Sequence, residues 1–186
     1  MKTISSLRIL LLITFLIPFS SNAGLIVSGG QLIGATDVEI DGTLFDVTFF
    51  EGTCEDAWTG CDESGDFLWQ SQADAELAGN ALIEQVFING VMGNFGTQPE
   101  LTFGCENTSY CWIVNAFWNG SGVLNIDVNL NTNENSLAGP YFDPCSDCRD
   151  DLTYAIWTEA VNEVPEPATL SLFALALLFL HRIRKA

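Results

Sequence analysis

Apolar and polar positions alternate without a break over residues 124–131, LNIDVNLN. A period of two is typical of a strand with one side buried and the other facing water, so this stretch predicts a half-buried strand. Cys111 to Phe117 and Leu152 to Thr158 are rich in β-branched and aromatic residues and predict two further strands. Residues 93–110 and 132–136 favour turns and a polar loop instead.

A β-hairpin is predicted in the first third of the chain. Val38 to Ile40 leads into Asp41-Gly42, a dipeptide typical of two-residue hairpin turns. Thr43 to Phe50 then forms the returning strand. The alternation of this strand places three apolar side chains on one face, namely Phe45, Val47 and Phe49.

The pattern changes to a helical period after Ser71, which can cap a helix together with Asp74. Gly79 lowers the helix propensity by about 1 kcal/mol, and Asn89-Gly90 marks the predicted end. The residues of the predicted apolar face are Leu77, Ala78, Ala81, Leu82 and Val86.

These elements predict one α+β domain, a mainly antiparallel sheet with one packed amphipathic helix. The domain is expected to span residues 24–163, and residues 53–65 within it favour a loop. About 140 residues are enough to bury a substantial core.

The N-terminus has the features of a secretory signal peptide, assigned to residues 1–23. Lys2 and Arg8 give a positive start, and the run Ile9 to Phe19 is apolar apart from Thr14 and Pro18. Ser21-Asn22-Ala23 has small residues one and three places before a cleavage point, which predicts a mature chain beginning at Gly24. An uncleaved anchor helix is the alternative.

The C-terminal residues 164–186 predict a short membrane helix. Residues 168–180 carry no charge, and a helix of that length spans roughly 20 Å, less than the bilayer core of about 30 Å. The basic residues behind the helix predict a stop on the cytoplasmic side, and they are Arg182, Arg184 and Lys185. A buried core helix is the alternative.

Two prolines precede this helix in the order Pro165-Glu166-Pro167. Proline fixes its own φ and pushes the preceding residue toward extended geometry, so a short extended strip is expected at the membrane surface. Processing enzymes generally need backbone of this kind.

The tail resembles the PEP-CTERM sorting signal of Gram-negative bacteria, which combines Pro-Glu-Pro, an apolar helix and a terminal basic cluster. The resemblance covers about the last 23 residues. It implies recognition by an exosortase, a membrane-embedded transpeptidase-like enzyme, followed by loss of the tail. It also implies a producer of exopolysaccharide. The stretch from Ala35 to Cys54 resembles an ectodomain that recurs on PEP-CTERM proteins, and that resemblance supplies no activity.

The charge of the predicted domain is strongly one-sided. Of 24 acidic residues only Glu166 lies in the tail, and of six Lys and Arg only Arg149 lies in the domain, so 23 negative and one positive charge give −22. Nucleic acid and anionic lipid would repel such a surface. Solubility in an extracellular medium explains the charge, and Ca²⁺ binding is the alternative.

Six cysteines in an exported chain predict three disulfide bonds, and six cysteines allow 15 pairings. Proximity along the chain favours Cys54–Cys61, Cys105–Cys111 and Cys145–Cys148. A zinc site is disfavoured because the domain has one C-x-x-C and no histidine. A redox role for Cys145-Ser146-Asp147-Cys148 lacks a thioredoxin-like strand–helix context.

Catalytic chemistry is limited by what the domain lacks. The one histidine, His181, lies in the tail and the domain has no lysine, which excludes Ser-His, Cys-His and Schiff-base mechanisms. Carboxylates could still act, and two clusters of acidic residues are Asp62, Glu63, Asp66 and Asp147, Asp150, Asp151. Their simplest interpretation is solvated loops, with a metal site or a hydrolase pair as alternatives.

Five tryptophans favour core packing, with polysaccharide stacking as the alternative. We therefore expect an exported, non-enzymatic protein of the cell surface or exopolysaccharide matrix, with no catalytic, cofactor or metal site. Its expected partners are an exosortase, the inner membrane transiently and exopolysaccharide, and not nucleic acid. A polysaccharide- or calcium-binding module is the alternative, and a secreted carboxylate hydrolase comes third.

Overall fold

The structure, a computed structural model, describes residues 23–141 and 151–161. These residues form a seven-stranded sheet with strands β1 Gly24–Ser28, β2 Gln31–Ile40, β3 Thr43–Phe50, β6 Tyr110–Trp118, β7 Val123–Asn131, β8 Ser136–Tyr141 and β9 Leu152–Glu159. Their order in the sheet is β1-β2-β3-β9-β6-β7-β8, and all neighbours are antiparallel except β6 and β9, which pair in parallel. The mainly antiparallel sheet that the sequence predicts is confirmed.

Two α-helices and a small hairpin accompany the sheet in this part of the chain. The helices are α1 Cys54–Ala57 and α2 Gln72–Ala81, and α2 continues as a π-helix, Leu82–Val86. Short 3-10 helices are Ser64–Asp66 and Pro99–Leu101, and the small hairpin pairs β4 Asn89–Gly90 with β5 Gly93–Asn94. None of these helices has the length and apolar character needed to cross a membrane.

The predicted loop over residues 53–65 is wrong in part, because α1 and the start of a 3-10 helix lie within it. The reason is a capping box at Thr53. The Thr53 hydroxyl accepts a hydrogen bond from the Asp56 backbone N–H, and the Asp56 carboxylate accepts one from the Thr53 N–H. These reciprocal bonds satisfy the helix start and stabilise a single turn that has no hydrophobic period.

The predicted hairpin at Asp41-Gly42 is confirmed, with φ values of 48° and 79° that suit a two-residue hairpin turn. The sheet begins earlier than the sequence pattern indicates. β2 starts at Gln31, and β1 precedes it through a turn at Gly29-Gly30. The uncharged, glycine-rich stretch 24–35 contains no alternation of apolar and charged residues that would have marked these strands.

α2 begins where the sequence predicts, since the Ser71 hydroxyl accepts the backbone N–H of Asp74 at 3.2 Å. Of the predicted apolar face, Ala78, Ala81, Leu82 and Val86 are buried, but Leu77 is 46% exposed and its assignment is wrong. The helical segment ends at Val86, where the Phe87 N–H bonds to the Leu82 carbonyl at 2.8 Å. Asn89-Gly90, the predicted end, instead forms β4.

Gly79 brings α2 close to the sheet. A Cβ atom at this position would lie 2.6 Å from Cδ2 of Leu137 and 3.5 Å from Cγ2 of Val128. The sequence suggests only a cost in helix propensity, whereas the structure shows that the missing side chain permits close packing of the helix on β7 and β8.

The face of the sheet under α2 contains the main hydrophobic core and one buried polar pair. Trp157 Nε1 donates to Asn115 Oδ1 at 2.9 Å, so the indole and the amide satisfy each other inside the core. Trp157 also packs edge-on against Trp69, with ring centroids 5.9 Å apart.

The opposite face is also covered, which corrects the prediction for residues 124–131. Asn125 and Asp127, assigned to a solvent-facing side, are each 2% exposed. Their cross-strand partners on β6 are Ala116 and Val114, which are buried in apolar clusters with residues of α1 and its loop. Alternation distinguishes the two faces of a strand, but it does not reveal that the polar face is covered by a segment distant in sequence.

Candidate functional site

The predicted sorting and membrane-stop residues lie outside the residues that the structure describes. They are Pro165, Glu166, Pro167, Arg182, Arg184 and Lys185, and Cys145 and Cys148 also fall there. The structure does describe the point from which the chain continues toward them. The candidate functional site is therefore the end of the folded domain from which the sorting segment leaves.

The last strand holds the chain firmly up to Ala160. Glu159 is the partner of Phe45 in the β3–β9 ladder, and the Ala160 N–H donates to the Leu44 carbonyl at 3.0 Å. Four residues then separate Ala160 from Pro165. The distance from Ala160 to Pro165 covers five residue-to-residue steps, which span at most about 18 Å when fully extended.

Among the described residues, two turns lie at the same end of the sheet as Ala160. The Asp41-Gly42 turn leads into β3, which is antiparallel to β9. The turn 119–122 follows β6, which runs parallel to β9. We call this end, comprising the Asp41-Gly42 turn, the turn 119–122 and Ala160, the exit face.

Hydrogen bonds within one turn and beside the other fix the backbone at this end. Asn119 Oδ1 accepts the backbone N–H groups of Ser121 at 2.9 Å and Gly122 at 3.0 Å, and the Asn119 N–H bonds to the Gly122 carbonyl at 3.1 Å. Beside the other turn, Gln85 exchanges two hydrogen bonds with the Glu39 backbone, at 2.9 and 2.7 Å. The exit face is thus a preformed surface.

The segment around Trp69 packs beneath the exit face, between β6 and β9. β6 and β9 pair only over Trp112–Val114, and farther along β6 the Trp69 segment forms a parallel bridge with Phe117. The Trp69 ring also contacts Phe45, with centroids 5.2 Å apart. The two strands therefore separate toward the exit face, and a buried tryptophan, 8% exposed, fills the gap.

Acidic side chains dominate the exit face and its surroundings. Asp41 and Glu159 are exposed there, and Glu39 and Glu84 line an open groove of about 600 Å³ that also borders Asp41. The domain's one basic residue, Arg149, is not among the described residues. No three of the described acidic or cysteine residues are arranged to hold a metal ion.

Two of the three predicted disulfide bonds are present, Cys54–Cys61 and Cys105–Cys111. The first closes the α1 loop over the second face of the sheet, where Cys54 packs with Phe67 and Ala116. The second closes the approach to β6, and both of its cysteines are buried. The pair Cys145–Cys148 lies in the part of the chain that is not described.

The first acidic cluster is engaged in local backbone structure. Asp66 Oδ2 accepts the backbone N–H groups of Asp62 at 3.1 Å and Glu63 at 3.2 Å, which caps the 3-10 helix at Ser64–Asp66. In the second cluster Asp151 is buried, and its two companions precede the described segment.

The tryptophans divide into two groups. Trp69 and Trp157 are core residues, in agreement with the packing interpretation. Trp58, Trp112 and Trp118 are only partly buried, on the face that α1 covers. Trp112 forms an edge-to-face pair with Tyr110, which is 38% exposed, so this pair presents aromatic surface at the start of β6.

Comparison with known proteins identifies the segment that follows the exit face. Residues 163–185 match the PEP-CTERM protein-sorting motif, almost the same bounds as the predicted tail. No curated protein and no solved structure matches the chain. The chain thus carries a PEP-CTERM sorting motif, which marks it for export, for exosortase processing and for the cell envelope. The matched motif begins at residue 163, four residues after Glu159, the last residue of β9.

Proposed function

We propose that this chain is a non-enzymatic protein of the cell surface or exopolysaccharide matrix, which an exosortase releases from a transient membrane anchor. The observation that carries the proposal is the sorting motif at residues 163–185, directly after the last strand of a folded domain. The expected anchor is residues 168–180, held at the inner membrane by Arg182, Arg184 and Lys185.

The start of the fold supports cleavage of a signal peptide after Ala23. Gly24 is the first residue of β1 and pairs with Thr36 of β2. The predicted mature N-terminus therefore coincides with the beginning of the sheet. Two disulfide bonds within the same domain are also typical of an oxidising compartment outside the cytoplasm.

The non-enzymatic assignment is supported by the chemistry of the domain. Residues 24–163 contain no histidine and no lysine, which are the common bases of nucleophilic catalysis. Asp66, one of the acidic residues that could have acted, instead caps a short helix. This use of a carboxylate in local backbone structure does not favour a carboxylate hydrolase.

Intact-mass measurement tests the processing. Protein from wild-type cells is expected to begin at Gly24 and to lack Leu170 to Ala186, because the apolar run and the basic cluster leave with the tail. Protein from a strain without its exosortase is expected to retain the tail through Ala186. Equal masses from the two strains would contradict the proposal.

Polysaccharide binding remains a second candidate because of the partly exposed Tyr110–Trp112 pair. Aromatic faces can stack on the apolar faces of sugar rings, and this pair offers two neighbouring rings at the surface. The calcium alternative has no comparable support in the described part of the chain.

Calorimetric titration with the producer's own exopolysaccharide tests this candidate. Tyr110→Ala is expected to weaken binding about fivefold or more, since a stacking contact contributes on the order of 1 kcal/mol. Leu77→Ala is the matched control, because Leu77 is an exposed apolar residue on α2, across the sheet. Absence of heat with wild-type protein, or equal losses in both variants, would exclude the site.

A further inference from the structure

The tether between the folded domain and the sorting motif is short compared with the domain itself. A compact domain of about 140 residues has a radius of gyration of about 14 Å and is roughly 35–40 Å across. The four residues between Ala160 and Pro165 reach at most about 18 Å. The Ala160–Leu44 hydrogen bond prevents the chain from lengthening this tether without opening the β3–β9 ladder.

This length fixes which surface meets the membrane machinery. When Pro165 is held at the processing enzyme, the domain cannot turn another side toward it, because the tether is only about half the domain's width. The exit face must therefore lie against whatever surrounds the motif, either the enzyme or lipid headgroups.

The charge of the exit face favours the enzyme over the lipid. Asp41 and Glu159 lie on this face, Glu39 beside it, and Glu163 follows in the tether. An exit face that lay against anionic headgroups would be within about one Debye length of them, about 8 Å, so the headgroups would repel these carboxylates. A basic surface on the enzyme would instead attract the carboxylates of the exit face.

We propose that the exit face is the surface by which the folded domain contacts its exosortase during processing. This rests on the proposed function and adds to it a recognition element outside the sorting motif. The enzyme then acts on a folded domain held in one orientation, with the four-residue tether setting the distance between the two contacts.

The test is the rate of tail loss in cells, followed by intact mass after a pulse of synthesis. The variant combines Asp41→Asn with Glu159→Gln in the full-length chain. Asparagine keeps the positive φ of the hairpin turn, and Glu159 is exposed at the strand end, so folding should be preserved. The control combines Glu106→Gln with Glu134→Gln, which removes the same charge from exposed positions at the opposite end of the sheet.

The exit-face variant is expected to lose its tail about three- to fivefold more slowly than wild type, and the control at the wild-type rate. Faster processing of the exit-face variant would indicate relief of repulsion from lipid and would overturn the proposal. Equal rates for both variants and wild type would overturn it as well.

A second arm tests the tether. Inserting Gly-Ser-Gly-Ser-Gly-Ser between Val161 and Asn162 adds a maximal reach of about 20 Å and frees the domain to turn. In this background the exit-face substitutions are expected to have no effect on the rate. A persisting three- to fivefold slowing would contradict the role of the tether.

Failure of this inference differs from failure of the proposed function. If wild-type protein never loses its tail, exosortase processing itself is refuted. If wild-type protein loses its tail and the exit-face variant does so at the same rate, only the contact surface is refuted.

Discussion

Replacing Pro165 and Pro167 together by alanine is expected to leave the C-terminal tail on the protein. Alanine is the best helix former and proline the worst, so the substitution allows the apolar helix to extend upstream through Glu166. We expect the exosortase to need this stretch in extended form, and we expect the substitution to make it helical. Processing, followed by intact mass, should fall by more than about tenfold, which corresponds to about 1.4 kcal/mol in the barrier.

Glycine and glutamine variants separate conformation from side-chain recognition. Pro165→Gly with Pro167→Gly disfavours the helix without restoring the proline rings, and it should retain more processing than the alanine pair. Glu166→Gln keeps both prolines and tests the carboxylate alone. If the glycine and alanine pairs are equally inactive, the extended backbone is not the reason for the requirement.

The sorting motif could be predicted from sequence because each of its parts acts through local chemistry. Prolines restrict their own backbone, an uncharged run partitions into a bilayer, and cations resist crossing it, whatever the rest of the chain does. The Asp41-Gly42 hairpin and the Ser71 cap belong to the same class. In each case a few neighbouring residues determine the conformation.

Nonlocal features could not be predicted in this way. β9, the last strand, lies in the middle of the sheet between β3 and β6, and no pattern within residues 152–159 indicates that position. The exit face follows directly from this topology, because the neighbours of Ala160 come from turns distant in sequence. The sequence alone allows an estimate of the tether length, but it does not show which surface of the domain lies beside the tether.

The buried face of β7 is a second case. The alternation in residues 124–131 correctly predicts a strand, but two residues on its polar side, Asn125 and Asp127, are as buried as its apolar side. Coverage comes from α1 and its disulfide-closed loop on the adjacent strands, and α1 itself depends on the Thr53 capping box. Burial of Asn125 and Asp127 is thus a tertiary property that local hydrophobicity cannot show.

The position of β9 also has a consequence for export. A chain that crosses a membrane from its N-terminus presents residues 152–159 after the other six strands of the sheet, and until then β3 and β6 lack their shared neighbour. The sheet therefore cannot be completed before the segment next to the sorting motif has crossed.

Gly79→Val is expected to destabilise the domain by about 2–3 kcal/mol, the cost typical of overpacking a well-packed core. The added Cβ would lie 2.6 Å from Leu137 Cδ2, and its methyl groups would crowd Val128 and Asn115. On an exposed helix the same change would be neutral or slightly stabilising, because valine has a higher helix propensity than glycine. Urea unfolding of the secreted domain, residues 24–163, provides the measurement.

Leu137→Ala supplies the matched background for this substitution. Removing the leucine methyl groups opens the space that the Gly79→Val side chain needs, so the cost of Gly79→Val should fall to about 1 kcal/mol or less in the Leu137→Ala variant. The difference between the two costs measures the contact directly. Equal costs in both backgrounds would mean that Gly79 is required for a reason other than the close approach of α2 to β8.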